Sequence, residues 1–511
     1  MSRSLLRSTG VVSAMTFLSR ILGFVRDIVY AQVFGAGTGT DAFFVAFRIP
    51  NLMRRLFAEG AFSLAFVPVF SQYRSQRTDQ ELRYLVDHVA GTLGLILFGV
   101  TLLGVVGAPI LIVIIAPGFT ADAEQYDLTI TMLRITFPYL MFISLTAFAG
   151  GILNSCGRFA VPALTPVLLN VCMIAAALWL APQMDRPVIA LAWGVFAAGA
   201  AQLLFQLPFL YRLGLLPRPR WGWRTEGVQR ILKLMLPTLL GSSAAQINLL
   251  VNTLLASFLV TGSVSWLYYS DRLVEFPLGV FGVALGTVIL PTLSRKYATS
   301  ASDEFSRTLD WGLRWVLLIG LPAAVALNIL AIPLLSTLFQ HGAFTAEDVV
   351  MSSRSLMAYA LGLLAFMLVK VLAPGFYARQ DTATPVKIAV GSLVANMILS
   401  LALIGPLQHA GLALAAALAS YINAGLLLLI LYRQGIYRPS GGWWLFTGQI
   451  LIANLAMGAV LWYGRGDLSG DWLQAASYDR LLHLSGLIGA GLASYGIMAL
   501  LIGVRPRHLR L

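Results

Sequence analysis

The chain has 511 residues, of which 58% are hydrophobic and 11% charged, and its mean hydropathy is +0.80. Soluble globular domains carry roughly 25% charged residues, so composition excludes that class and points to an all-α, polytopic membrane protein. The net charge of +13 does not indicate nucleic acid, because most Lys and Arg fall in short loops between apolar runs.

A helix needs about 20 residues to cross the hydrocarbon layer. Fourteen apolar segments have suitable length: 9–35, 41–70, 86–116, 128–153, 160–181, 187–211, 231–259, 265–294, 309–338, 351–377, 385–404, 410–432, 443–464 and 481–503. The first apolar run, VVSAMTFL (11–18), is followed by Arg20 and has no small-residue cleavage pattern, so no cleavable signal peptide is expected. The first segment carries Arg20, Arg26 and Asp27 in SRILGFVRDIVY (19–30). GAGTGT (35–40) follows a helix and lacks the Lys-Ser/Thr ending of a phosphate loop, so it reads as a turn. The second segment contains FRIPNLMRRLFAEGAF (47–62), with Arg48, Arg54, Arg55 and Glu59 close to Pro50, and Asp41 lies upstream. Asp87-His88 opens the third segment and reads as a solvated helix end rather than a proton-linked pair. Cys156 and Cys172 offer neither a disulfide framework nor metal-ligand spacing.

The eighth segment carries Asp271, Arg272 and Glu275 in YYSDRLVEFP (268–277), then Gly279, Gly282 and Gly286. That small-residue spacing predicts a close helix contact, with a hinge as the alternative. Bends or breaks are predicted at Pro50 and Pro277, and a break at Pro374-Gly375 in the tenth segment, which also carries Lys370. The five histidines are scattered and suggest no metal site, and no cofactor is expected.

Lys and Arg collect at both ends and in every second connection, as in RLGLLPRPRWGWRTEGVQR (212–230) and RPRHLRL (505–511). The alternate connections hold Arg186, Arg465 and Arg480. This asymmetry places both ends in the cytoplasm, and the 212–230 connection is expected to lie on anionic lipid. The segment EGAFSLAFVPVFSQY (59–73) resembles GVALGTVILPTLSRKY (282–297), and Thr38-Gly39 matches Thr261-Gly262 at the same offset. The chain therefore reads as two parallel six-helix lobes, 1–211 and 231–432, joined by the 212–230 linker and followed by a helix pair in 433–511. Parallel repeats of this kind are a transporter architecture.

An Arg or Asp at mid-membrane costs about 2.5–3.5 kcal/mol, and a Leu or Phe returns about 0.3–0.6. The charges near Pro50 must therefore face protein or water. Asp41, Arg48, Arg55 and Glu59 fall near one helical stripe. The first, second, eighth and tenth segments together supply seven basic groups (20, 26, 48, 54, 55, 272 and 370) against five acidic ones (27, 41, 59, 271 and 275). A surplus of embedded cations implies an anion that comes and goes, and the arginine fork suits phosphate oxygens. Structural pairing, such as Arg26 with Asp27 or Arg272 with Glu275, is the alternative.

DAFFVAFRIPNLMRRLFAEGAFSLAFVPVF (41–70), SRILGFVRD (19–27), GSVSWLYYSDRLVEFPLGVFGVALGTVILPTLS (262–294) and VKVLAPGFYARQDTATPVKIA (369–389) resemble the MurJ (MviN) family of the MOP transporter superfamily. The resemblance runs over essentially the whole chain. It implies a lipid II flippase of the bacterial cytoplasmic membrane, with fourteen helices and a final pair forming a lipid groove that leads to a cationic central cavity. The cavity arginines would be Arg20, Arg26, Arg54, Arg55 and Arg272, with Lys370, and with Asp27, Asp41, Arg48, Glu59 and Glu275 around them. The expected partners are lipid II, membrane phospholipids and the cell-wall synthesis machinery, with the chain acting as a monomer and not as an enzyme. The same resemblance leaves two other cargoes to weigh, another polyprenyl-diphosphate-linked saccharide and a drug.

Overall fold

The computed structural model describes the backbone of residues 3–54 and 62–504, with side chains except those of 3–9, 236–245 and 283. Arg55 and Glu59, two of the candidate site residues, lie outside the described residues. No strand occurs among the described residues. This is what lipid imposes, since a helix satisfies its own backbone hydrogen bonds where no water is available.

The chain divides into two compact units, 1–262 and 263–511. The first contains α1 (Arg3–Phe34), α2 (Thr38–Arg54), α3 (Phe62–Gln76), α4 (Asp79–Val106), α5 (Ala108–Ile115), α6 (Ala123–Thr136), α7 (Tyr139–Ser155), α8 (Ala160–Ala175), α9 (Ile189–Arg212) and α10 (Glu226–Ala256). Here α1 packs on α8, α2 on α6, α7 on α9, and α3 on both α7 and α10. A buried aromatic column of Phe62, Phe66 and Phe70 meets Phe148 of α7, with 5.1 Å between the Phe66 and Phe148 ring centroids. Gly151 makes room for it, because a Cβ there would sit 3.1 Å from the Phe66 ring.

The second unit contains α11 (Ser263–Pro277), α12 (Val283–Ala298), α13 (Ser302–Ile329), α14 (Ala331–Leu338), α15 (Ala346–Tyr377), α16 (Ala383–Arg433), α17 (Trp443–Gly464) and α18 (Ser477–Leu501). The long α15 is its spine, touching α11, α12, α13 and α16, while α17 and α18 pair and α17 leans on α13. Thr345 and Asp348 form a reciprocal cap at the start of α15, as Thr78 and Glu81 do on α4. Each such cap satisfies two backbone donors that the first turn leaves open.

Ten helical runs among the described residues are long and apolar enough to cross a membrane. One of them, 383–433, holds two of the segments read from sequence. Its helix is interrupted at Gln408, with φ 51 and ψ −131. The expected irregularity at Pro277 is present: α11 ends there and a π-helical turn, Leu278–Gly282, leads into α12. At Pro50 the helix continues as far as Arg54. The break expected at Pro374-Gly375 is corrected, because α15 runs through both residues to Tyr377. Pro374, Gly375 and Phe376 are buried, and a Cβ on Gly375 would touch Leu431 and Leu309 at 3.4–3.5 Å. Packing from two sides holds the helix across the proline. The glycine stripe of the eighth segment makes the predicted close contact. A Cβ on Gly286 would lie 3.5 Å from the Lys370 carbonyl, and one on Gly282 3.8 Å from Met367.

The basic connection 212–230 is strapped onto α4. Asp87 accepts from Arg218 N at 2.7 Å through Oδ1, and its carbonyl accepts from Arg220 N at 3.0 Å. Gly222 N donates to Thr92 Oγ1 at 3.1 Å. Asp87 is therefore a docking residue, and His88 is buried beneath the strap rather than solvated. A Cβ on Gly91 would overlap the Arg220 backbone. Overpacking of this kind costs about 1–3 kcal/mol, so Gly91→Ala lifts the strap. Trypsin then cuts at Arg220 and Arg224 several-fold faster than in the unaltered protein, and unchanged cutting would show that the strap tolerates the methyl group.

Candidate functional site

The first unit gathers one set of the charges singled out in the sequence. Arg26 donates through Nε and Nη2 to Asp27 Oδ1 at 3.0 and 2.7 Å, and through Nη1 to Asn170 Oδ1 of α8 at 3.1 Å. Asn170 in turn donates to the Ser19 carbonyl, and the Arg26 guanidinium lies 5.4 Å from the centre of the Tyr30 ring. Three hydrogen bonds to acceptors on two helices hold the plane of Arg26 in place. The Asp27 side chain is 3% exposed and that of Arg26 13%. Separating this pair would strand a buried carboxylate, which is costly.

The charged stripe of α2 turns toward the end of α10. Arg48 Nη1 donates to Thr253 Oγ1, whose own hydroxyl donates to Leu249 O. Seven residues earlier, buried Asp41 accepts from Gly262 N at 2.7 Å. Gly262 has φ 96, a left-handed conformation that glycine adopts without a Cβ penalty. Arg54 donates through Nε to Asn51 Oδ1 at 3.0 Å. Arg20 is exposed on α1. Replacing Asp41 with Ala leaves the Gly262 N–H buried without that acceptor, a loss of about 1–3 kcal/mol. Asp41→Asn keeps an oxygen and recovers most of it. Thermal unfolding of the two variants in detergent separates these outcomes, and equal melting of both would show that the Gly262 bond carries no stability.

The second unit repeats the arginine arrangement in looser form. Arg272 Nη1 donates to Glu275 Oε2 at 2.6 Å, one turn along α11, and its guanidinium lies 4.7 Å from the centre of the Tyr268 ring. The two side chains are 31% and 47% exposed, so this pair is far more accessible than Arg26–Asp27. Lys370 is exposed on α15.

Pairing of Arg26 with Asp27 and Arg272 with Glu275, the alternative weighed from sequence, is therefore what the structure contains. The neutral partners Asn170, Thr253, Tyr30 and Tyr268 were missed. Asn170 was within reach, because an amide inside an apolar segment is itself a signal in a membrane helix. A further buried cluster was also missed. Asp310 of α13 accepts from Arg314 Nε at 2.9 Å, Tyr437 OH at 3.0 Å and Ser440 N at 3.2 Å, and from Trp443 Nε1. Burial first, then the Asp310 carboxylate, pushes the Tyr437 phenol far above the ordinary tyrosine range, so it stays a hydrogen-bond donor. The cluster ties the 434–442 connection and the start of α17 to α13.

These features define a class: an all-helical, multi-pass membrane protein. A solved multidrug resistance MATE transporter of the MOP superfamily, in an inward-facing conformation, superposes with a TM-score of 0.68 over 83% of this chain and 97% of its own, at 13% identity, which shows the fold alone. A structure described as "Lipid II flippase MurJ, inward closed conformation" matches with a TM-score of 0.79 and 27% identity over 96% of this chain and 97% of its own. The probable lipid II flippase MurJ of Vibrio cholerae is 48% identical across 100% of this chain and 98% of its own length. The family model for lipid II flippase MurJ matches residues 30–481. The chain belongs to the MurJ family.

Proposed function

We propose that this chain flips lipid II from the inner to the outer face of the bacterial cytoplasmic membrane by alternating access. The observation that carries the reading is the match to the lipid II flippase MurJ family over residues 30–481, in a chain that places one arginine beside a tyrosine ring in each unit, Arg26 by Tyr30 and Arg272 by Tyr268. Arg26 and Arg272 bind the diphosphate in a cationic central cavity, with Asp27 orienting Arg26. Glu275 exchanges places with the phosphate, because an exposed i,i+3 pair contributes only about 0.2–0.5 kcal/mol and a doubly charged anion outcompetes it. Arg20, Arg54, Arg55 and Lys370 add positive potential that draws the head group in. Arg48 and Asp41 hold α2 to the end of α10, and Glu59 contacts sugar or peptide.

In this reading the chain crosses the membrane fourteen times, the run 383–433 counting twice across its interruption at Gln408. The lobes are 1–211 and 231–432, and 433–511 supplies the pair along which the polyprenyl tail lies. Both ends are cytoplasmic. The inside-negative potential resets the empty cationic site, since it favours inward movement of positive charge.

The test is depletion of a bacterium's own lipid II flippase, rescue with this chain, and measurement of lipid II accessible at the outer face. Restored growth with restored outer-face lipid II is expected. Restored growth with outer-face lipid II still absent, or export of a different polyprenyl-diphosphate saccharide in its place, overturns the assignment.

A further inference from the structure

A groove of about 510 Å³ lies in the second unit between the first half of α15 and the interruption of α16. Its walls are two apolar stripes. Met357, Ala358 and Leu361 come from α15, and Leu407, Ala410 and Leu414 come from the other side. Residues 354, 357, 358 and 361 share one face of a helix, as do 410 and 414 beyond the interruption at Gln408, with Leu407 on the near side of it. Leu361 and Leu407 are exposed, so in a membrane the groove opens to lipid.

One end of this apolar trough carries Arg354. It is exposed, and among the described residues no carboxylate pairs with it. The nearest acid along the chain, Asp348, is occupied by Trp266 Nε1 at 2.9 Å and by the Thr345 cap. Arg354 lies three residues inside the apolar segment 351–377, about 4.5 Å along the helix. That is the level at which a guanidinium on a membrane helix meets lipid headgroups.

The same rim carries the restart of α16 after Gln408, and a helix N-terminus adds partial positive charge there. The rim is also rigid. His409 is 1% exposed, its Nε2 donates to the Met351 carbonyl at 2.9 Å, and its ring packs 5.0 Å from that of Trp266. Gly411 admits the Leu403 carbonyl so closely that a Cβ would overlap it, which fixes the bend. A cationic rim above a fixed apolar trough matches one kind of molecule, a phosphate-bearing headgroup carrying an acyl chain.

The geometry points to a bound phospholipid here, its phosphate on Arg354 and one acyl chain lying between Met357–Leu361 and Leu407–Leu414. Under the orientation proposed above, the lipid belongs to the outer leaflet. The site uses none of the charges assigned to the flipped head group. It needs only that α15 and α16 be embedded, so its failure and the failure of the flippase reading are separate results.

The experiment reconstitutes the full chain in nanodiscs with a trace of phosphatidylethanolamine carrying a diazirine on one acyl chain, and maps labelled peptides by mass spectrometry. Diacylglycerol with the same chain is the headless comparison. Label is expected to concentrate on 354–361 and 407–414 and to be about ten-fold weaker with the headless probe, the effect of about 1.4 kcal/mol. Arg354→Gln falls to the headless level, Arg354→Lys retains most of the label, and Leu414→Trp removes it by filling the trough. Equal labelling by the two probes in the unaltered protein overturns the proposal whether or not any variant folds. So does label in Arg354→Gln matching the unaltered protein. Loss of the label on adding equimolar lipid II assigns the groove to the transported lipid and likewise overturns it.

Discussion

Arg272→Ala abolishes rescue of growth while the protein still folds and inserts. The Arg272–Glu275 pair is partly exposed, so removing it costs the fold little, about 0.2–0.5 kcal/mol for a pair one turn apart. The same guanidinium on a diphosphate makes charge-assisted hydrogen bonds of about 1.5–3 kcal/mol each. Losing two of them slows transport by about 10²-fold or more. Arg26→Ala is the harder case. It leaves Asp27, with a side chain 3% exposed, as an uncompensated buried charge, and such a break costs about 3–5 kcal/mol. A low level of Arg26→Ala protein would therefore say nothing about transport. The double variant Arg26→Ala/Asp27→Asn removes the stranded charge and recovers expression and melting temperature, while outer-face lipid II stays low. Normal outer-face lipid II in both Arg272→Ala and the double variant would remove the two arginines from the mechanism.

Asp310→Ala produces the largest loss of stability expected outside that site. The carboxylate accepts from Arg314, Tyr437, Ser440 and Trp443, and Arg314 also donates to Ser440 Oγ at 2.8 Å while lying 5.3 Å from the Trp443 ring. Alanine strands a guanidinium and several neutral donors at once, a cost of about 3–5 kcal/mol by the standard of broken buried pairs. The expected result is a melting temperature lowered by several degrees and rapid proteolysis within 434–442. Asp310→Asn keeps one oxygen acceptor and loses the charge, so it falls between the two. If Asp310→Ala melts with the unaltered protein, the cluster is a consequence of the packing of α13 against α17 and not a cause of it.

Much of this was legible from sequence because lipid is a demanding solvent. Hydrocarbon forces apolar runs of helical length, and it makes every embedded charge conspicuous. Arg26, Asp27, Arg48 and Arg272 could therefore be named from the chain alone, as could the irregularity at Pro277 and the close approach at Gly286. The resemblance to the MurJ family, confirmed over residues 30–481, came from long motifs of the same kind.

The tertiary structure decided what those groups touch. Asp41, grouped with the cavity charges from its position on the stripe, proved to hold the Gly262 amide. Pro374 was read as a breaker, yet Leu309 and Leu431 pack the helix through it. Asp87 was expected to meet solvent, and it docks the basic strap through Arg218 and Arg220. The unequal exposure of Arg26–Asp27 and Arg272–Glu275 has no trace in spacing, since both are acids within a turn of an arginine. Sequence determines which residues are too costly to leave in lipid, because that cost is local to each side chain. Which partner relieves the cost depends on helices distant in the chain, and that was settled only when they packed.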